Sequence, residues 1–163
     1  MKAKRKFLIL VGLVILFGSS ACGLSSSPEP SKPDDVLEDI SGVVITLERT
    51  VCFGTCPAYK VTIQGDGTVI YNGYDFVAVE GERKYTIAVE DIRELIQMFY
   101  DFDFFSLEDE YVMAVTDHPS TTTSITIEGE TKTVYRYGNG PVILLQIEDQ
   151  IDEVAGTLEL IEE

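Results

Sequence analysis

The sequence has no Trp, one His and three Cys among its 163 residues. A single imidazole leaves no His-rich metal centre and no relay of His bases to be built. Basic residues are scarce as well: 12 Lys and Arg stand against 28 Asp and Glu, a net charge of −16. Nucleic-acid binding needs a basic face to displace phosphate counterions, so this balance excludes it. No G-x-S-x-G elbow, H-E-x-x-H pair or phosphate-binding loop occurs, which leaves a hydrolase or nucleotide-binding reading without support. Long apolar runs are absent too. The longest, Phe7 to Phe17, has eleven residues, whereas about 20 are needed to span a bilayer.

What is present at the N-terminus reads as a targeting segment. Lys2, Lys4, Arg5 and Lys6 precede the apolar run, and the small residues Gly18-Ser19-Ser20-Ala21 follow it, the pattern of a secretory signal peptide over residues 1–21. Cys22 comes next. Small residues leading into a Cys resemble the lipobox of prokaryotic lipoproteins, in which the Cys becomes the first mature residue and carries a diacylglycerol. Ser19 stands where that family usually has Leu, and Ser19 with Ala21 would also suit an ordinary signal peptidase or an uncleaved anchor. Lipidation of Cys22 is the preferred reading. Removal of residues 1–21 leaves 8 basic residues against 28 acidic, a charge of −20. Such a surface repels anionic headgroups, so the lipid itself must hold the protein at an extracytoplasmic membrane face.

Residues 22–42 are rich in Ser, Pro and acids and poor in apolar side chains. That composition buries too little surface to offset the entropy of ordering, and predicts a tether. A single domain then spans residues 43–163. Val43, Ile45 and Leu47 alternate on one strand face, and Tyr59, Val61 and Ile63 on a second. Gly65-Asp66-Gly67 predicts a tight hairpin turn with positive φ, returning through Thr68 to Asn72. Glu82 to Ile87 forms a fourth strand. Ile92, Leu95, Ile96 and Phe99 fall at i, i+3, i+4 and i+7, which predicts a helix over Val89 to Phe102. Thr121 to Glu128 and Thr131 to Tyr137 form a second hairpin. A last helix is expected over Pro141 to Leu160, with Pro141 at its first position, the apolar stripe Ile143, Ile147, Ile151, Val154 and Leu158, and Glu148, Asp149, Asp152 and Glu153 toward water. Gly156 weakens it, so a bend or fraying is expected there. The expected fold is α+β: an antiparallel sheet with two main helices on one face. Val61 to Gly73 and Ile125 to Gly140 look alike, either as a ββα unit used twice or as two ordinary hairpins.

The unusual local feature is Cys52-Phe53-Gly54-Thr55-Cys56-Pro57 between two strands. In an exported protein two nearby thiols are oxidised, and Gly54 eases closure of the turn. One thiol for lipid and two for a bridge leave none over. The default role of Cys52 and Cys56 is therefore a structural disulfide. With Leu47-Glu48-Arg49-Thr50 before it and GDGTVIYNG after it, this segment resembles an uncharacterised family, domain of unknown function 6438. Its pattern, C-x-G-x-C-P-x-Y leading to a Gly-Asp-Gly turn, is matched here by Cys52, Gly54, Cys56, Pro57, Tyr59, Gly65, Asp66 and Gly67. The resemblance brings no activity, cofactor or substrate with it.

A C-x3-C-P in a membrane-tethered protein is also similar to copper-delivery proteins of the Sco type, where two Cys and a distant His bind copper. Here His118 would be the third ligand. In those proteins the motif leads into a helix, whereas Ala58 to Ile63 reads as strand. His118 itself sits in the polar stretch Thr116 to Ser120, where a surface-turn role is expected. Asp101, Asp103, Glu108, Asp109 and Glu110 lack the spacing of a calcium loop and are expected to form a solvated acidic face. Tyr135, Tyr137 and Thr121 to Ser124 are candidates for a recognition face. The sequence thus points to a membrane-anchored, extracytoplasmic lipoprotein without a cofactor. Its domain is expected to be a non-catalytic module that binds an unknown protein or small molecule. A thiol-based copper or redox protein using Cys52, Cys56 and His118 is the alternative.

Overall fold

Strands with one buried face build a single sheet, and the two apolar helical stripes close over it. The computed structural model describes residues 37–162; the expected signal segment, Cys22 and most of the expected tether lie outside them. In chain order the elements are β1 (Val44–Arg49), β2 (Ala58–Gln64), β3 (Thr68–Asp75) and β4 (Gly81–Thr86). Helix α1 (Val89–Asp101), a 3₁₀ turn (Phe104–Ser106), β5 (Glu110–Val112), β6 (Ser120–Ile127) and β7 (Glu130–Tyr137) follow. Helix α2 (Val142–Ala155) and the short α3 (Leu158–Ile161) complete the domain. The seven strands form one sheet in the order β4-β3-β2-β1-β6-β7-β5. All neighbours are antiparallel except β5 and β7, which run parallel.

The core lies between one sheet face and the two main helices. Ile45, Leu47, Val61, Ile63, Val69 and Ile125 supply the sheet side. Ile92, Leu95, Ile96 and Phe99 supply α1, which is the expected stripe. Glu90 and Asp91 occupy the first turn of α1, where the positive end of the helix dipole favours acids. Phe104 plugs the end of the core and meets Phe99 edge to face, ring centroids 4.7 Å apart. The architecture is the expected α+β one, with both helices in the same core.

Several boundaries differ from the sequence reading. Ile40 is buried and Leu37 packs against the core, so packing begins inside the stretch read as tether. The stripe of α2 is Leu144, Ile147, Ile151 and Ala155, rotated from the expected one, and Leu158 is exposed. Glu148 and Asp152, expected in water, are buried, while Asp149 and Glu153 are exposed. Helix α2 does not run from Pro141 to Leu160: Pro141 is its N-cap, with extended ψ, and Gly156 does not bend it but ends it, with φ +67°, a left-handed cap that glycine adopts without steric penalty. Strand β5, three residues long, is too short to show a period in the sequence. The two similar segments are β2-β3 and β6-β7; the first reaches its helix through the additional strand β4, the second directly.

The Gly65-Asp66-Gly67 turn has a tertiary reason behind it. Only Gly67 has positive φ, +94°. A Cβ on Gly65 would stand 1.6 Å from the Ile40 carbonyl oxygen, so the entering chain leaves no room for a side chain. The Asp66 carboxylate accepts the Thr68 backbone N–H at 2.9 Å, which holds its pKa below the usual carboxylate value. This turn lies at the opposite end of β2 from the cysteines.

Candidate functional site: a cleft beside the disulfide loop

Strand alternation places Arg49 on the same face as Ile45 and Leu47, so its side chain enters the helix layer at the last residue of β1. Register does the rest. Arg49 pairs with Tyr59 on β2 and with Thr121 on β6, and Thr121 pairs with Arg136 on β7. Tyr59, Arg49, Thr121 and Arg136 therefore form one row across four strands. Above that row lies α2, where Glu148 and Asp152, four residues apart, share a face.

The row and the helix meet in a closed polar network. Arg136 donates to both oxygens of Glu148, Nε to Oε1 at 3.0 Å and Nη2 to Oε2 at 2.5 Å. It also donates to Thr121 Oγ1 at 2.9 Å and to the Gly138 carbonyl. Arg49 donates to Asp152 Oδ2 through Nη2 at 2.9 Å and Nε at 3.2 Å. Asp152 Oδ1 accepts from the Tyr59 hydroxyl at 2.7 Å and from Thr157 Oγ1 at 2.6 Å. Burial alone would lower the Arg49 pKa, but Asp152, with Tyr59 and Glu148 beyond it, holds it above its ordinary value. Burial, and then the Asp152 carboxylate, pushes the Tyr59 phenol up, so it stays a donor. Gly140 gives Arg136 its space: a Cβ there would stand 2.7 Å from Arg136 Cδ.

This network floors a cleft of about 540 Å³ whose rim is formed by Thr55, Cys56, Pro57, Pro119, Asp149 and Ile161. Cys52 and Cys56 are joined as a disulfide, Cα to Cα 5.5 Å, which fixes the loop that makes one wall. Cys56, Pro57 and Tyr59 thus line the cleft. Cys52 and Gly54 face a second groove on the other side of the loop. A Cβ on Gly54 would make an ordinary 3.5 Å contact with Cys52 Sγ, and its φ is not left-handed, so closure of this loop does not demand glycine.

The other sequence candidates separate. His118 is exposed beside Asp117, whose φ is +65°, and the two sulfurs it was paired with are bonded to each other. Among the described residues no three His, Cys, Asp or Glu side chains converge as a metal site. The acids at and beyond the end of α1 take separate partners: Asp101 accepts from Gln97, Asp103 from Ser106 and Asp109 from Lys132. Thr121 lines the cleft and Thr123 is buried in the core. Thr122, Ser124, Tyr135 and Tyr137 point to the sheet face away from the helices, where Ser124 bonds Thr46 at 2.6 Å. Sequence reasoning missed Arg136, Glu148, Asp152 and Thr157. The available signal was a charged residue, Arg49, continuing the inward series Ile45-Leu47, with no acid yet assigned to meet it.

The class is therefore an α+β domain with one mostly antiparallel sheet and a buried ionic cluster under an open cleft. The chain belongs to the family described as Domain of unknown function (DUF6438), whose model matches residues 43–155. No curated protein matches it significantly.

Proposed function

We propose that this protein is an exported lipoprotein, anchored through Cys22, whose domain is a non-catalytic binding module with the disulfide-framed cleft as its ligand site. One observation carries the binding role. Glu148 and Asp152 under the cleft are held by Arg136, Arg49, Tyr59 and Thr157, whereas Arg49 Nη1 has only long contacts, 3.5 Å to Thr121 and 3.6 Å to Glu148. Arg49 Nη1 is therefore an open donor in the cleft, beside the exposed Asp149 carboxylate on the rim, and suits a ligand that brings an acceptor oxygen. A preformed concave site with a few fixed polar groups is the usual form of a small-molecule site. The ionisable groups hold one another in pairs, an arrangement suited to orienting a ligand rather than to proton transfer.

Two experiments test these readings. Screening small polar metabolites by thermal shift should yield ligands that raise the Tm of the wild-type protein. The same ligands should not shift Thr55→Trp, which plugs the exposed rim without touching the network. Ligands that shift both proteins equally would remove the cleft as the site. For the anchor, the wild-type mature protein should fractionate with membranes and carry acyl mass, and Cys22→Ala should release it or stall its processing. A soluble wild-type product beginning at Cys22 without added mass would refute lipidation.

A further inference from the structure

The disulfide loop has a second face, turned away from the cleft. Phe53 stands at its tip with 89% of its surface exposed. Val51, Tyr74 and Phe76 are exposed large side chains on the same loop or at the adjoining end of β3. A groove of about 350 Å³ runs between Val51, Phe53 and Phe76, lined also by Cys52, Gly54 and Asp75, with Tyr74 outside it. Exposed apolar side chains scattered singly are normal on any protein; several gathered around one groove mark an interaction site.

Three independent features of this apex agree. The Cys52–Cys56 bond closes the loop backbone into a short covalent ring at Phe53, so this backbone loses little freedom on docking. Phe76 adopts φ +52°, a left-handed conformation costly for a bulky residue, yet its side chain remains 45% exposed. Strain of that kind is stored where surroundings impose a conformation, and such sites are often functional ones. The third feature is charge. From residue 43 onward seven basic residues stand against 23 acidic ones, and the groove's one charged lining residue is the acidic Asp75.

We infer that the apex formed by Phe53, Val51 and Phe76 is a docking surface for a protein partner that presents apolar side chains flanked by Lys or Arg. The partner's apolar group enters the groove while its cation meets Asp75 and the acidic field beyond it. The same field acts against the other occupants: a second copy of this chain and an anionic lipid surface are both repelled by it. Phe53 is the anchor, since rigid aromatic side chains at the centre of a patch carry most of an interface's energy.

The test is affinity selection of a random peptide display library on the purified protein, with Phe53→Ser for comparison. Phe53 is almost wholly exposed, so this change leaves the core intact. Selected peptides should combine an aromatic or aliphatic residue with Lys or Arg. They should bind wild type at least about tenfold more tightly than Phe53→Ser, and weaken as salt screens the charges. A selection that returns nothing, acidic peptides, or peptides indifferent to Phe53→Ser would overturn the inference. So would Phe53-dependent retention by vesicles of phosphatidylcholine and phosphatidylglycerol, or a dimer in sedimentation that Phe53→Ser dissolves.

Discussion

Replacing Glu148 by Leu strands the Arg136 guanidinium beneath α2 with its principal counter-charge gone. The Glu148 side chain is 1% exposed and that of Arg136 11%, so water reaches Arg136 only from its cleft edge and replaces little of the lost carboxylate. Removing one member of a buried ion pair typically costs 3–5 kcal/mol, because the remaining charge keeps its desolvation penalty without its compensation. Arg136 would still donate to the Gly138 carbonyl and Thr121, which places the expected loss near the lower bound, about 3 kcal/mol. At about 4 °C per kcal/mol for a domain of this size, the Tm should fall by about 12 °C. Pairing the change with Arg136→Met, which keeps the aliphatic stem, should restore most of that, with a coupling energy of about 2 kcal/mol in the double-mutant cycle. Urea unfolding followed by far-ultraviolet circular dichroism, for both single variants and the double, supplies the cycle. A Glu148→Leu loss under about 1 kcal/mol, typical of exposed pairs, would refute the reasoning. A double variant as unstable as the sum of its parts would do the same.

Three other perturbations have definite outcomes. Cys52→Ser with Cys56→Ser restores loop entropy to the unfolded chain and should lower stability by about 2 kcal/mol, checked by chemical denaturation with and without reductant. Gly65→Ala drives a methyl group into the Ile40 carbonyl oxygen and should cost about 2 kcal/mol or more, whereas Gly54→Ala, whose site has room, should cost under about 1 kcal/mol; equal losses would contradict the assigned contacts. Burial raises the pKa of Tyr85 to about 12 and raises those of Tyr59 and Tyr71 as well. Above the unfolded tyrosine value of about 10, the unfolded chain binds fewer protons than the native one, so stability is full below that pH and falls as pH rises toward 12 and beyond. Phenolate absorbance during alkaline titration should show these three tyrosines ionising late, together with unfolding, and Tyr85→Phe should flatten the alkaline slope.

The sequence alone determined the long strands and the two main helices. Period-2 runs such as Tyr59-Val61-Ile63 and the i, i+3, i+4, i+7 stripe Ile92-Leu95-Ile96-Phe99 are local signals, and local φ/ψ preference with one buried face suffices to realise them. The disulfide was legible because its partners are four residues apart, so no knowledge of the fold was needed to pair them. The cleft was not legible, because it depends on register and on helix rotation. Arg49, Thr121 and Arg136 meet only when β1, β6 and β7 pair as they do, and nothing within any one strand encodes its neighbour's offset. Glu148 and Asp152 look like the polar side of an amphipathic helix. They turn inward because the sheet offers two cations at that level, and their attraction there offsets the cost of burying acids. The Gly65 requirement is likewise tertiary, arising where Ile40, 25 residues earlier in the chain, crosses the turn. Periodicity fixes which residues face a core; only the assembled sheet decides which charges find each other within it.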